Sequence, residues 1–127
     1  MANRAYRLRA VLLAALGLAP LQAATQEVRL LVQSSPLAGF AYHQAPEVWR
    51  ELRVGDRLQL EREPGNSHDA YAVRVAWRGR MLGYVPRREN RALAWAMDRG
   101  ERLEARVSRI QPHRNPRHRI QFEVFVE

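Results

Sequence analysis

The chain has 127 residues and no cysteine, so it is one domain at most, and disulfides, thiolate metal sites and cysteine nucleophiles are excluded. Apolar residues at 46% with 27% charged residues are ordinary globular composition, which excludes global disorder. All 21 basic side chains are arginine and the formal charge is +8, a balance that favours nucleic acid, anionic lipid or acidic partners without choosing among them.

Arg4, Arg7 and Arg9 precede an apolar run over residues 10–19, and Pro20-Leu21-Gln22-Ala23-Ala24 follows. A basic start, a short apolar run and a small-residue site predict a signal peptide over residues 1–23, with cleavage after Ala23 and a mature domain over 24–127. The run is short of the roughly 20 residues that a membrane-spanning helix needs. Loss of three of the 21 arginines leaves 18 against 13 acids. Export would place the domain in a periplasm or outside the cell; a mis-assigned start codon would leave it in the cytoplasm.

Val28, Leu30 and Val32 alternate with Arg29, Leu31 and Gln33, which predicts a first strand stopped by Ser34-Ser35-Pro36. A loop with Gly39, Phe40, Tyr42 and His43 follows, then a short helix over residues 46–52 with Pro46 at its start. Leu58 and Leu60 mark a second strand, and Val73, Val75 and Trp77 a third. Arg78-Gly79-Arg80 is a tight turn into a fourth strand over 81–85, closed by Pro86. A helix from about Arg88 to Arg99 presents Ala92, Leu93, Ala96 and Met97 on one face and ends at Gly100. Leu103, Ala105 and Val107 form a fifth strand, and Ile120, Phe122, Val124 and Val126 a sixth. Six short strands in about 100 residues must wrap to bury one face, so the chain is expected to be mainly β, a small six-stranded barrel-like sheet with two short helices. Its predicted core contains Leu58, Leu60, Val73, Val75, Leu103, Val107, Phe122 and Val124.

The connection between the second and third strands is richer than a hairpin requires, holding Asn66, His68 and Asp69. Two readings stand: a rigid loop whose Asn and Asp bond their own backbone, or a polar notch at the rim of the barrel.

With these elements placed, the chain resembles the HIRAN domain family in its stand-alone bacterial form. The residues carrying the resemblance are Leu37-Ala38-Gly39-Phe40-Ala41-Tyr42-His43, Gly55-Asp56 with Leu58 and Leu60, Arg62-Glu63-Pro64 with Asn66, Asp69, Ala72 and Val73, and Leu82-Gly83-Tyr84-Val85-Pro86. The resemblance spans residues 28–126 and implies a barrel related to the oligonucleotide-binding and SH3-like folds. It also implies binding of a single-stranded DNA 3′ end through Tyr42, Asn66, Asp69 and Arg87 or Arg88. Where eukaryotic members have a basic residue and two tyrosines this chain has Ala41-Tyr42-His43, and where an aromatic precedes the Asp it has His68. Both histidines can stack on a base or donate to a phosphate, so His43 and His68 join the candidate site.

The chemistry needed for such a site is present. Tyr42, His43 and His68 offer flat faces, Arg62, Arg87, Arg88 and Arg91 offer charge, and Asp69 with Asn66 could accept from a terminal hydroxyl. The plainer readings are a loop tyrosine folded onto the barrel and a solvated run of arginines at a helix start. His43, His68, Asp69, His113 and His118 match no zinc spacing, so no metal and no cofactor is expected. No phosphate-binding loop with its lysine exists and no nucleophilic triad is legible, so the chain is not read as an enzyme. The rival class is an exported module that binds protein or a polyanion of the cell envelope.

Overall fold

In the computed structural model, which describes residues 29–127, the alternating apolar runs become strands. The targeting segment expected over residues 1–23 lies outside the described residues. β1 (Leu30–Pro36), β2 (Arg57–Arg62), β3 (Val73–Trp77), β4 (Arg80–Tyr84), β5 (Leu103–Ile110) and β6 (Ile120–Val126) form one antiparallel sheet in the order β1-β6-β5-β2-β3-β4. Two short helices, α1 (Ala45–Val48) and α2 (Arg91–Asp98), interrupt the strands, with 3-10 turns at Phe40–Tyr42, Arg87–Glu89 and Pro116–His118. The expected mainly-β fold is the observed one, an OB-like sheet that does not close.

β2 links the two halves of the sheet. Arg57 and Leu58 pair with β5, whereas Gln59 to Arg62 pair with β3. The β3–β4 hairpin turns through Arg78 and Gly79, whose φ angles of 47° and 76° give the twist that a two-residue hairpin needs. Across the open seam, Ala38 and Tyr84 exchange two backbone hydrogen bonds of 2.9 Å, an isolated bridge from the chain after β1 to β4. Gly83 permits this approach: a Cβ there would lie 2.1 Å from the Ala38 carbonyl oxygen. No helix among the described residues is long and apolar enough to cross a membrane.

The core cluster holds Leu58, Val73, Val75, Trp77, Leu82, Val107, Phe122 and Val124 from the sheet, with Leu37, Phe40, Val48, Leu52 and Leu93 from the connections and helices. Leu60 and Leu103, expected inside, are only partly buried and pack against this cluster.

Several local expectations need correction. Leu30 and Val32 are exposed, because β1 is an edge strand and a bulge between Leu31 and Gln33 shifts its register; burial passes to Ser35 and Leu37. Ser34-Ser35-Pro36 does not stop the strand, since buried Ser35 is satisfied, accepting from Gln33 Nε2 at 2.7 Å and donating to Glu89 Oε2 at 2.6 Å. Helix α1 ends at Val48, short of the expected Leu52. Helix α2 begins at Arg91 after the 3-10 turn, and its buried residues are Leu93, Ala94 and Ala96, while Ala92 is exposed. Gly100, at φ 83°, ends it as expected.

On β5 the buried neighbour of Ala105 is Glu104, a position that alternation assigns to solvent. Its carboxylate takes charge-assisted bonds from Arg29, from Arg57 Nε at 3.3 Å and from Arg106 Nε at 2.7 Å. Arg57 and Arg106 face each other across the ladder, a like-charge pair that Glu104 relieves. Burial would raise the Glu104 pKa, but the three guanidiniums together hold it below the ordinary glutamate value.

Candidate nucleic-acid interface

The loop between β2 and β3 is built by its own polar side chains. Asn66 Oδ1 accepts from the amides of His68 and Asp69 at 2.8 and 3.1 Å, and Asp69 Oδ1 accepts from the amide of Tyr71 at 2.9 Å. These are Asx turns, so the rigid-loop reading describes the local structure. The loop is also tied to the rest of the domain. Asn66 Nδ2 donates to Glu63 Oε1 at 2.9 Å, and Glu63 in turn accepts from the Tyr84 hydroxyl at 3.0 Å. Partial burial and then the neighbouring Glu63 carboxylate raise the Tyr84 pKa. Asp69 Oδ2 accepts from Nδ2 of buried Asn90, just before α2, at 2.7 Å.

These bonds define what remains for a ligand. Asn66 Oδ1 is engaged twice, so this side chain keeps one N–H to donate rather than an acceptor to offer. A carboxylate has about four acceptor positions, and Asp69 uses two of them. Arg62 is not part of an available surface. It holds Asp98 with two nitrogens at 2.9 and 3.2 Å and donates to the carbonyls of Ala70 and Ala72, which fastens the loop to α2. The Arg62 guanidinium holds the Asp98 pKa below its usual value.

Between this loop and the start of α2 lies a concavity of about 620 Å³, lined by residues 66–71 and by Arg87, Arg88, Asn90 and Arg91. It gathers five of the seven expected site residues: Asn66, His68, Asp69, Arg87 and Arg88. Among the described residues, Arg87 and Arg88 have no ion-pair or hydrogen-bond partner for their side chains, in contrast to Arg62. Both also line a second concavity of about 540 Å³, with Pro36 to Gly39, Pro86, Glu89 and Arg117.

Tyr42 and His43 stand apart from the first concavity, on the 3-10 turn after Gly39. Tyr42 is 88% exposed and not folded onto the barrel, while His43 packs edge-on against Tyr84 with centroids 5.5 Å apart. A second aromatic group escaped sequence reasoning. Arg91 lies over Tyr71 at 4.8 Å and Trp95 at 5.6 Å, and the two rings meet edge-to-face at 6.2 Å. Trp95 sits four residues after Arg91 on one helix face, a spacing visible in the sequence, but only the fold brings Tyr71 to it. Among the described residues, no group of three or more His, Asp or Glu is placed to hold a metal ion.

A protein from Lactobacillus plantarum has the same fold, with a TM-score of 0.68 at 26% identity over 78% of this chain and 95% of that one. The HIRAN domain of human HLTF superposes with a TM-score of 0.58 at 20% identity, covering 80% of each chain. No curated protein matches this chain. The HIRAN domain pattern matches residues 30–127, nearly the whole described region. The chain therefore belongs to the HIRAN domain family, known in general for nucleic-acid binding.

Proposed function

We propose that the domain binds single-stranded DNA at a free 3′ end, with the terminal nucleotide in the concavity between the β2–β3 loop and α2. The observation that carries this reading is the pair Arg87 and Arg88, unpartnered among the described residues, beside the His68 ring and the Asp69 carboxylate in one concavity. Arginines without acids are suited to phosphates, and an acid among them suits a terminal hydroxyl, where no phosphate follows. Asp69 accepts from the 3′-hydroxyl, Asn66 donates its remaining N–H, and His68 and exposed Tyr42 supply stacking faces for successive bases. The loop is stiff before any ligand arrives, because Asn66, Asp69 and Arg62 brace it, so little ordering cost falls on binding. The N-terminal pattern extends the reading to an exported domain that meets DNA outside the cytoplasm.

Fluorescence anisotropy with 3′-hydroxyl and 3′-phosphate forms of one oligonucleotide tests the proposal. Wild type should prefer the hydroxyl end. Asp69→Ala should erase that preference, whereas simple loosening of the loop would weaken both ends alike. Equal wild-type affinity for the two ends would instead favour the rival, a general polyanion-binding module.

A further inference from the structure

The connection from β5 to β6 carries a second set of arginines that the 3′-end reading does not use. Its 3-10 turn is cross-braced: Arg119 Nε donates to the His113 carbonyl at 2.9 Å, Gln111 Nε2 to the His118 carbonyl at 2.9 Å, and the Asn115 amide to His113 Nδ1 at 2.9 Å. Arg119 also packs over Phe40 at 5.2 Å and Trp49 at 5.6 Å, which fixes the connection against the end of α1. Between them opens a cleft of about 610 Å³ lined by Trp49, Arg50, Pro112, His113, Arg114 and Arg119.

No carboxylate lines this cleft. Arg114 has no hydrogen-bond or ion-pair partner among the described residues, and the Arg50 guanidinium rests only on the Trp49 ring, at 5.7 Å. Arginines elsewhere are engaged by acids, as Arg62 is by Asp98 and Arg99 by Glu101, whereas the residues lining this cleft include no acid. Cations alone beside a half-buried indole are what a single strand requires, phosphates on the guanidiniums and a base on the ring. The same turn also reaches toward the concavity of the β2–β3 loop. Arg117, from the same braced turn, shares the Pro36–Gly39 concavity with Arg87 and Arg88, which also line the notch.

We infer that the cleft of Trp49, Arg50 and Arg114 is a second single-strand contact, which takes the nucleotides upstream of the end held in the notch. The strand crosses from Arg88 past Arg117 to reach it. This inference rests on the 3′-end reading for its polarity but not for its existence.

The test compares 3′-hydroxyl oligothymidylates of about three and about twelve nucleotides, the longer within the range of single-barrel site sizes. The variants are Arg50→Ala/Arg114→Ala and Arg50→Glu/Arg114→Glu, exposed positions whose guanidiniums make no hydrogen bond or ion pair among the described residues, Arg50 touching only the Trp49 ring. Anisotropy should show the alanine pair lowering the salt slope for the long strand by about 1.4, two phosphate contacts at about 0.7 each. The glutamate pair should weaken the long strand at least tenfold and leave the short one within twofold. Unchanged long-strand binding, or equal weakening of both lengths, would overturn the inference. Displacement of the long strand by inorganic polyphosphate of equal charge as readily as by DNA would overturn it too. A wild type that ignores the 3′ end but keeps the length-dependent loss would reject end recognition in the notch and leave the second contact standing.

Discussion

Gly83→Ala should open the seam on which the site's geometry depends. The new Cβ would lie 2.1 Å from the Ala38 carbonyl oxygen and 3.2 Å from Leu37 Cδ1. The first contact is backbone, which cannot swing aside, so the Ala38 segment must move away from β4. Movement breaks the two 2.9 Å bonds between Ala38 and Tyr84, at about 1 kcal/mol each. Residual overpacking against buried Leu37 adds about 1 to 2 kcal/mol, the lower part of the range for overfilled cores. A loss of about 3 to 4 kcal/mol is expected in urea melts, read from the midpoint at unchanged slope. The same variant should weaken DNA binding, because Ala38 leads into the turn that carries Tyr42 and Tyr84 leads into Arg87. A loss below about 1 kcal/mol would show that the Ala38–Tyr84 bridge is incidental to the fold.

Val75→Ala, at a fully buried position, should cost about 2 kcal/mol in the same melts, and Leu60→Ala, only partly buried, no more than that; the opposite order would contradict the core described. The depressed Glu104 pKa means that its ion pairs stabilise the fold above the ordinary glutamate range and cease to as pH falls through the lowered value. The stability gap between wild type and Glu104→Gln should therefore be present at neutral pH and close below about pH 4, where free glutamate protonates; a gap that is constant in acid would count against the buried carboxylate. N-terminal sequencing of the protein from its source cells should find a chain starting near Ala24, and an intact Met1 would reject export.

Strand positions were legible because they follow an alternation that local chemistry imposes: Val73, Val75 and Trp77 are buried as their spacing requires. Alternation failed where the ladder slips. The bulges at Val32 and Ser108 lie between paired residues that give no local sign of them, and around the first, on the edge strand, Leu30, Leu31 and Val32 are all exposed. Glu104 was hidden for a different reason. Its partners Arg29 and Arg57 lie 75 and 47 residues away, so only the sheet order makes an acid at that position affordable. At the site, Asn66 and Asp69 were recognisable as loop builders from their own chemistry, and the fold gathers them with Arg87 and Arg88. Arg62 looked like one more ligand cation, but Asp98 and two carbonyls engage it. The Tyr71–Arg91–Trp95 stack needed the packing of a loop on a helix, which no spacing within either could reveal.

The proposed site reads a strand end, with an acid that helps to bind a polyanion. It is tested most directly by the affinity of wild type and Asp69→Ala for the 3′-hydroxyl form of one oligonucleotide. Removing a negative charge from a purely electrostatic binder strengthens its hold on DNA, whereas removing the acceptor of a terminal hydroxyl weakens it. End reading predicts that Asp69→Ala binds the hydroxyl end more weakly and loses more there than on the 3′-phosphate form, since loosening of the loop touches both alike. Tighter binding of both forms by the variant would contradict it.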